Sequence, residues 1–222
     1  MRRFIFFVAL FSVSFLVNAQ EITTAGVFFS SMSKKYASVN DYIANIKITN
    51  GRGVNSIGIV KFKKPGKLRM DFSVPASQTI VFTGDELIIY IPSTRTTLSQ
   101  SVEGNMAGLA GAGSSKGLSL MKRSYTIAYE TSASPVPLEA GSSEMVIALR
   151  LLRRSANETF RQMRISVNPQ TKMIRRVEAW PASGSKITFD FTNYRINAGI
   201  ADTTFVYSPP ASEIINNFLY LE

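Results

Sequence analysis

The chain has neither cysteine nor histidine. The lack of cysteine excludes a disulfide, even in a compartment that would permit one. It also excludes the N-terminal cysteine on which a bacterial lipoprotein carries its lipid. The lack of histidine removes the usual general base, the Ser-His nucleophile pair and the commonest zinc ligand together. Only carboxylates, lysines and tyrosines are left for acid–base work. Acidic residues are in deficit too: 15 Asp and Glu stand against 25 Lys and Arg, a formal net charge of +10.

The one long apolar run lies at the start of the chain. Arg2 and Arg3 precede Phe4–Val17, which is broken only by Ser12 and Ser14, and Val17-Asn18-Ala19 follows. A basic n-region, an apolar stretch too short for a permanent span and a small residue at the cut together predict a secretory leader over residues 1–19. The expected mature part, residues 20–222, is then one domain in the bacterial periplasm, held by core packing alone. Loss of Arg2 and Arg3 leaves a charge of +8. That balance suits anionic partners, membrane headgroups included, and equally suits an ordinary solvated surface. Nucleic acid is the wrong partner for a secreted chain.

Two periodicities divide the expected mature part. Ile22, Ala25, Phe29, Met32, Tyr36 and Val39 recur at steps of three and four, with Ser30, Ser31, Lys34 and Lys35 mostly opposite. This spacing predicts an amphipathic helix ending at Asn40-Asp41. From Tyr42 the period becomes two. The segments 56–62, 67–72, 79–82, 86–91, 124–130, 144–151, 160–167, 173–180 and 186–196 read as strands. Turn signals such as Asn50-Gly51, Lys64-Pro65-Gly66 and Thr83-Gly84-Asp85 separate them. So many strands with short connections predict an antiparallel sheet that curls on itself. In "KLRMDF" Lys67, Arg69 and Asp71 alternate with Leu68, Met70 and Phe72. The apolar set faces either a filled core or a lumen, as do Phe82 and Phe189 on their strands.

The stretch "GNMAGLAGAGSSKGLSLMKR", residues 104–123, invites a phosphate-cradle reading. In Ser114-Ser115-Lys116-Gly117 the lysine precedes the glycine, so the P-loop order is not met, and the antiparallel context excludes a dinucleotide fingerprint. Its glycines each weaken a helix by about 1 kcal/mol relative to Ala. With Met106, Leu109, Leu118, Leu120 and Met121 scattered among them, the stretch reads as a loosely held cover or an ordinary loop. Asp71, Asp85, Glu86 and Glu178 are explained by solvated strand faces. No catalytic constellation, metal site or cofactor motif is legible, and a non-enzymatic protein is expected.

Several motifs carry a family resemblance: "KYASVNDY" after the helix, "KFKKPGKLRMDF", "PASQTIVFTGDELIIYIP" and the closing "ITFDFTNYRINAGIADTTFVYSPP". In their order, from about residue 27 to 215, they resemble the LolA-type periplasmic lipoprotein carriers. The resemblance implies an incomplete, strongly curved antiparallel β-barrel covered by an N-terminal helix and a lid, with an apolar cavity between them. It implies acylated lipoproteins as cargo, received from an inner-membrane lipoprotein-releasing ABC transporter and passed to an outer-membrane receptor. The carrier would be a monomer without cofactor. An acyl-chain cavity would involve Leu68, Met70, Phe72, Phe82 and Phe189. Lys64 stands where the family often has an arginine that latches the lid, and 104–121 occupies the lid region. A lipid- or lipoprotein-sensing module of similar fold and a glycolipid carrier are the alternatives.

Overall fold

The computed structural model describes residues 23–51, 53, 55–101, 114–182 and 184–218. Helix α1 spans Ala25–Ser38, with the Thr24 hydroxyl accepting from the Val27 amide as N-cap. It buries Ala25, Phe28, Phe29, Met32 and Tyr36 on one face. Phe28 joins the face expected from the sequence because it lies one turn before Met32. The helix stops where Val39 turns extended and the chain enters β1.

The strands are β1 (Asp41–Asn50), β2 (Asn55–Lys63), β3 (Lys67–Val74), β4 (Thr79–Phe82), β5 (Glu86–Ile91) and β6 (Thr96–Ser101). After α2 (Ser115–Ser124) come β7 (Tyr125–Tyr129), β8 (Val136–Pro137), β9 (Met145–Arg153), β10 (Phe160–Val167), β11 (Ile174–Pro181) and β12 (Ile187–Ile196). A 3₁₀ turn at Asp202–Phe205 and β13 (Glu213–Asn216) close the order. One sheet runs β13-β6-β5-β4-β3-β2-β1-β12-β11-β10-β9-β7, with β8 paired beside β9. Neighbours are antiparallel except β13, which lies parallel to β6. The terminal strands β7 and β13 do not pair with each other among the described residues, so the curl stays open.

Register fixes which side chains share the concave face. Tyr42, Ala44, Ile46 and Ile48 of β1 oppose Phe62, Val60, Gly58 and Ser56 of β2. Leu68, Met70 and Phe72 of β3 continue those rows, and Phe82 and Ile80 of β4 extend them. On the far side Phe189 pairs with Ile48 and Val177. Gly58 is needed where β2 and β3 slip register. A Cβ there would stand 2.3 Å from the Asp71 carbonyl oxygen, which no rotamer of the neighbour relieves.

α1 lies on this concave face, held at both ends. At its start the Tyr129 hydroxyl donates to the Thr23 carbonyl at 2.6 Å. Near its end the Tyr36 hydroxyl accepts the Ile174 amide at 3.1 Å, while the Tyr194 hydroxyl donates to the Ile174 carbonyl at 2.9 Å. Tyr42 packs edge-on to Tyr36 and stacks on Phe62. Burial pushes the Tyr36 phenol up to about 12, outweighing the hydrogen bond from the Ile174 amide, so the group stays neutral.

The structure settles one open expectation and departs from two others. Ser115–Ser124, within the stretch read as a loose cover or a loop, is a helix, because the Ser114 hydroxyl caps the Gly117 amide and Leu118 is fully buried. Ser124 accordingly ends α2 instead of opening a strand. The polar β6 and the short β13, neither expected, are formed by long-range pairing. Replacing Tyr36 with Phe should leave the buried Ile174 amide without a partner. A loss of about 1–3 kcal/mol in urea unfolding is expected, with unchanged far-ultraviolet circular dichroism. Equal stability would show that α1 is not held through this hydroxyl.

Candidate functional site

The concave face is apolar but unevenly covered. Some of its positions are closed: Leu68 is 6% exposed, Phe82 4% and Phe72 5%. Met70, two residues from Leu68 on the same face, is only half-buried, as are Ile80 and Leu87 on the next two strands. Ile48, Phe189 and Phe191 are likewise half-buried against the same core. The face therefore interleaves filled positions with incompletely covered apolar ones. The five residues expected to line a cavity all pack into one cluster, Leu68, Phe72 and Phe82 at filled positions and Met70 and Phe189 at partly covered ones. Ile48, Ile80, Leu87 and Phe191 were not singled out from the sequence. Alternation with Ile46 and Phe189 was the available signal for Ile48 and Phe191.

α2 packs against α1 and β7 and reaches the turns at one end of the sheet. Ser114 and Lys116 line a cleft of about 340 Å³ with Pro65, Gly66, Lys67, Phe82 and the Thr83–Asp85 turn, while the helix ends directly at β7. Leu118 is fully buried in the core, and Leu120 and Met121 are half-buried. Met106 and Leu109 lie outside the described residues. Lys64 sits in the β2–β3 turn. Its Nζ donates to the Ala37 carbonyl in the last turn of α1, and its amide donates to the Asn40 carbonyl at 2.9 Å. A cation at a helix C-terminus also meets the negative end of the helix dipole. Among the described residues, then, Lys64 grips α1 and not α2.

The convex face carries a different chemistry. From β12 the chain crosses it to reach β13, and basic side chains strap it down. Lys63 and Lys67 meet Asp202 at 3.2 and 3.0 Å. Arg69 donates to the Thr204 carbonyl at 3.0 Å and lies over the Tyr207 ring. Under this strap Val81, Ile88 and Tyr90 of the outer face are buried with Phe205. Burial alone would raise the Asp71 carboxyl, but hydrogen bonds from Lys61 and Arg69, with their charge, hold it below its ordinary value. The other carboxylates considered for acid–base work have separate partners: Glu178 meets Lys186 and Arg164, and Glu86 accepts from Ser99. They do not converge on one another. Among the described residues no group of three or more acidic side chains is placed to hold a metal ion.

A carboxyl with a lowered folded pKa adds stability above its unfolded value of about 3.9 and loses it as pH falls through the lowered one. The Asp71→Asn variant should therefore be less stable than the parent at neutral pH, by about 1 kcal/mol or less for so exposed a pair. The difference should vanish in acid. A gap that persists below the ordinary carboxylate range in urea titrations would refute the assignment.

Comparison with known proteins agrees with this architecture. The model of the family described as "Outer membrane lipoprotein carrier protein LolA" matches residues 47–208, well over half of the chain. An outer-membrane lipoprotein carrier protein of Coxiella burnetii is 26% identical over 211 residues, covering 90% of this chain and 89% of that protein. One from Chromobacterium violaceum is 22% identical over 193 residues, covering 87% and 85%. Among solved structures, an uncharacterized conserved protein of Thermus thermophilus aligns with a TM-score of 0.56 at 11% identity, over 85% of this chain and 96% of that one, a likeness of fold alone. With the open curved sheet, the concave apolar face and the family match all in place, the chain belongs to the LolA family.

Proposed function

We propose that the protein is a periplasmic carrier that shelters the acyl chains of lipoproteins on its concave face. The single observation that supports this reading most is the half-buried row Met70, Ile80 and Leu87, with Phe189 across the sheet. These are apolar groups held against a packed core without being closed over. An ordinary domain closes such a face, because each buried methylene is worth about 0.8 kcal/mol. Among the described residues these side chains are left for a ligand to cover. Met70 suits a variable apolar guest, since its thioether chain is unbranched and polarizable. The relatives' carrier names and the family match support the same reading.

In this scheme an inner-membrane lipoprotein-releasing ABC transporter loads the cargo and an outer-membrane receptor takes it. The carrier works by differential affinity and performs no chemistry. The Lys64–Ala37 bond would hold α1 to the β2–β3 turn while α2 moves, making Lys64 a latch on the fixed half of the cover.

The test uses the purified chain without its leader. It should take up a fluorescent fatty-acid probe and a di-acylated peptide, with release slowed when the chains lengthen. Met70→Asp should abolish uptake, because a charge placed among the guest's methylenes costs several kcal/mol. Its position at a half-buried site lets the sheet fold, which circular dichroism and the unfolding midpoint verify. Leu68→Asp is unsuited to the test, since Leu68 lies in the filled core. A folded Met70→Asp protein that still binds acyl chains would sink the assignment of this face.

A further inference from the structure

The acids that balance the chain's positive charge are not spread evenly. On the sheet, Lys61, Lys63, Lys67, Arg69, Arg175 and Arg176 are each matched to a carboxylate within 3.2 Å. The two helices are different. α1 and α2 contain no acidic residue, yet they carry Lys34, Lys35, Lys116, Lys122 and Arg123. None of these five makes an ion pair among the described residues; Lys122 donates only to Ser30 Oγ, at 2.8 Å, tying the helices together. Lys172 adds a sixth cation beside α1, with its Nζ 4.5 Å from the centre of the Phe28 ring. Lys34, Lys116, Lys122 and Arg123 are exposed. Between the helices runs an open groove of about 650 Å³, lined by Ser30, Ser33, Lys34, Ser119, Lys122 and Arg123 above a floor of Phe29 and Leu118.

We propose that this helical face is a landing surface for anionic phospholipid headgroups, by which the protein settles on a bilayer with its cover against the membrane. The chemistry favours a lipid surface over an acidic protein. Most of the charges are lysines, compact hydrated point charges on long stems that suit a diffuse planar anion, with hydroxyls between them to bond phosphate oxygens. A protein interface would need a buried aromatic or arginine anchor and a shaped pocket. The groove's Phe29 and Leu118 are fully buried and its Arg123 is exposed at the rim among serines, so no anchor pocket is formed, and the one large apolar side chain exposed on α1 is Val27, which shares the outward side with Lys34 seven residues on. Unpaired cations also carry no cost of breaking a salt bridge on docking. The surface that meets the headgroups includes α2, so anionic lipid bears directly on that helix.

Vesicles of phosphatidylglycerol and phosphatidylcholine, compared with phosphatidylcholine alone, test this by co-sedimentation of the chain without its leader. Binding should require the anionic lipid and fall steeply as salt is raised. The Lys34→Gln, Lys116→Gln, Arg123→Gln triple variant removes three exposed cations that form no ion pair among the described residues. It should bind on the order of 100-fold more weakly, about fivefold per charge. A control triple at the exposed Lys47, Arg95 and Arg195 of the sheet changes net charge equally and should bind like the parent. Equal weakening by both triples, or no preference for anionic vesicles at low salt, overturns the proposal. Binding to soluble poly-glutamate without any vesicle preference assigns the face to an acidic protein and overturns it as well. Uptake of the fatty-acid probe in vesicle-free buffer is measured in parallel, so that failure of the carrier reading and failure of this surface are seen separately.

Discussion

Everything on the concave side depends on how α1 is fastened to the sheet. β11 and β12 pair only from Arg176–Asp190 to Ala179–Ile187, and beyond that they part. At the parting, Ile174 offers an amide and a carbonyl with no ladder partner on that side. Tyr36 and Tyr194 satisfy the two, one hydroxyl each. A buried backbone pair left open would cost about as much as a lost hydrogen bond at each group, so the helix is placed by polar need as much as by its apolar stripe. Tyr42 and Phe62 then continue the aromatic contact across the sheet. α1 packs into the same core cluster as Leu68 and Phe82, while Met70 is only partly buried against it.

The opposite face is managed by charge. An open sheet of this length needs something to hold its curvature and protect its edge. The return of the chain from β12 to β13 does both. It buries Val81 and Ile88 beneath Phe205, ties itself to Lys63, Lys67 and Arg69, and adds a short parallel strand beside β6. Several cations of the sheet, Lys63, Lys67 and Arg69 among them, are engaged in this work, whereas the five of the two helices form no ion pair among the described residues.

Much of this arrangement was legible in the sequence. The alternation in "KLRMDF" assigned Leu68, Met70 and Phe72 to one face, and the register agrees. The helical spacing through Phe29, Met32 and Tyr36 located α1. What was not legible depends on distant partners. β6 reads as polar because Thr97 is buried against Ser212, over a hundred positions away. α2 was hidden by Gly117 and the glycines before it in the sequence, and the local cost of Gly117 is overridden when Leu118 docks in the core. Leu68 and Met70 look alike in the sequence but differ in burial, because coverage depends on neighbours from elsewhere in the chain and not on their own strand's alternation.

That difference bears on how a carrier can both hold and release. A chain of a dozen methylenes fully removed from water would gain on the order of 10 kcal/mol, and several such chains would approach the practical ceiling of noncovalent affinity near 20 kcal/mol. A site that realised this could not hand its guest on without an energy source. A face that is half core and half open gains only part of the transfer energy, because the guest keeps some contact with water or with the cover. On the proposed reading, the filled positions would keep the protein folded when empty, so stability and affinity would be supplied by different residues. Affinity could then be tuned at Met70, Ile80 and Leu87 without touching the Tyr36 anchor. Release would need only a shift of α2, which among the described residues is tied to α1 by the Lys122–Ser30 hydrogen bond beside the buried Leu118.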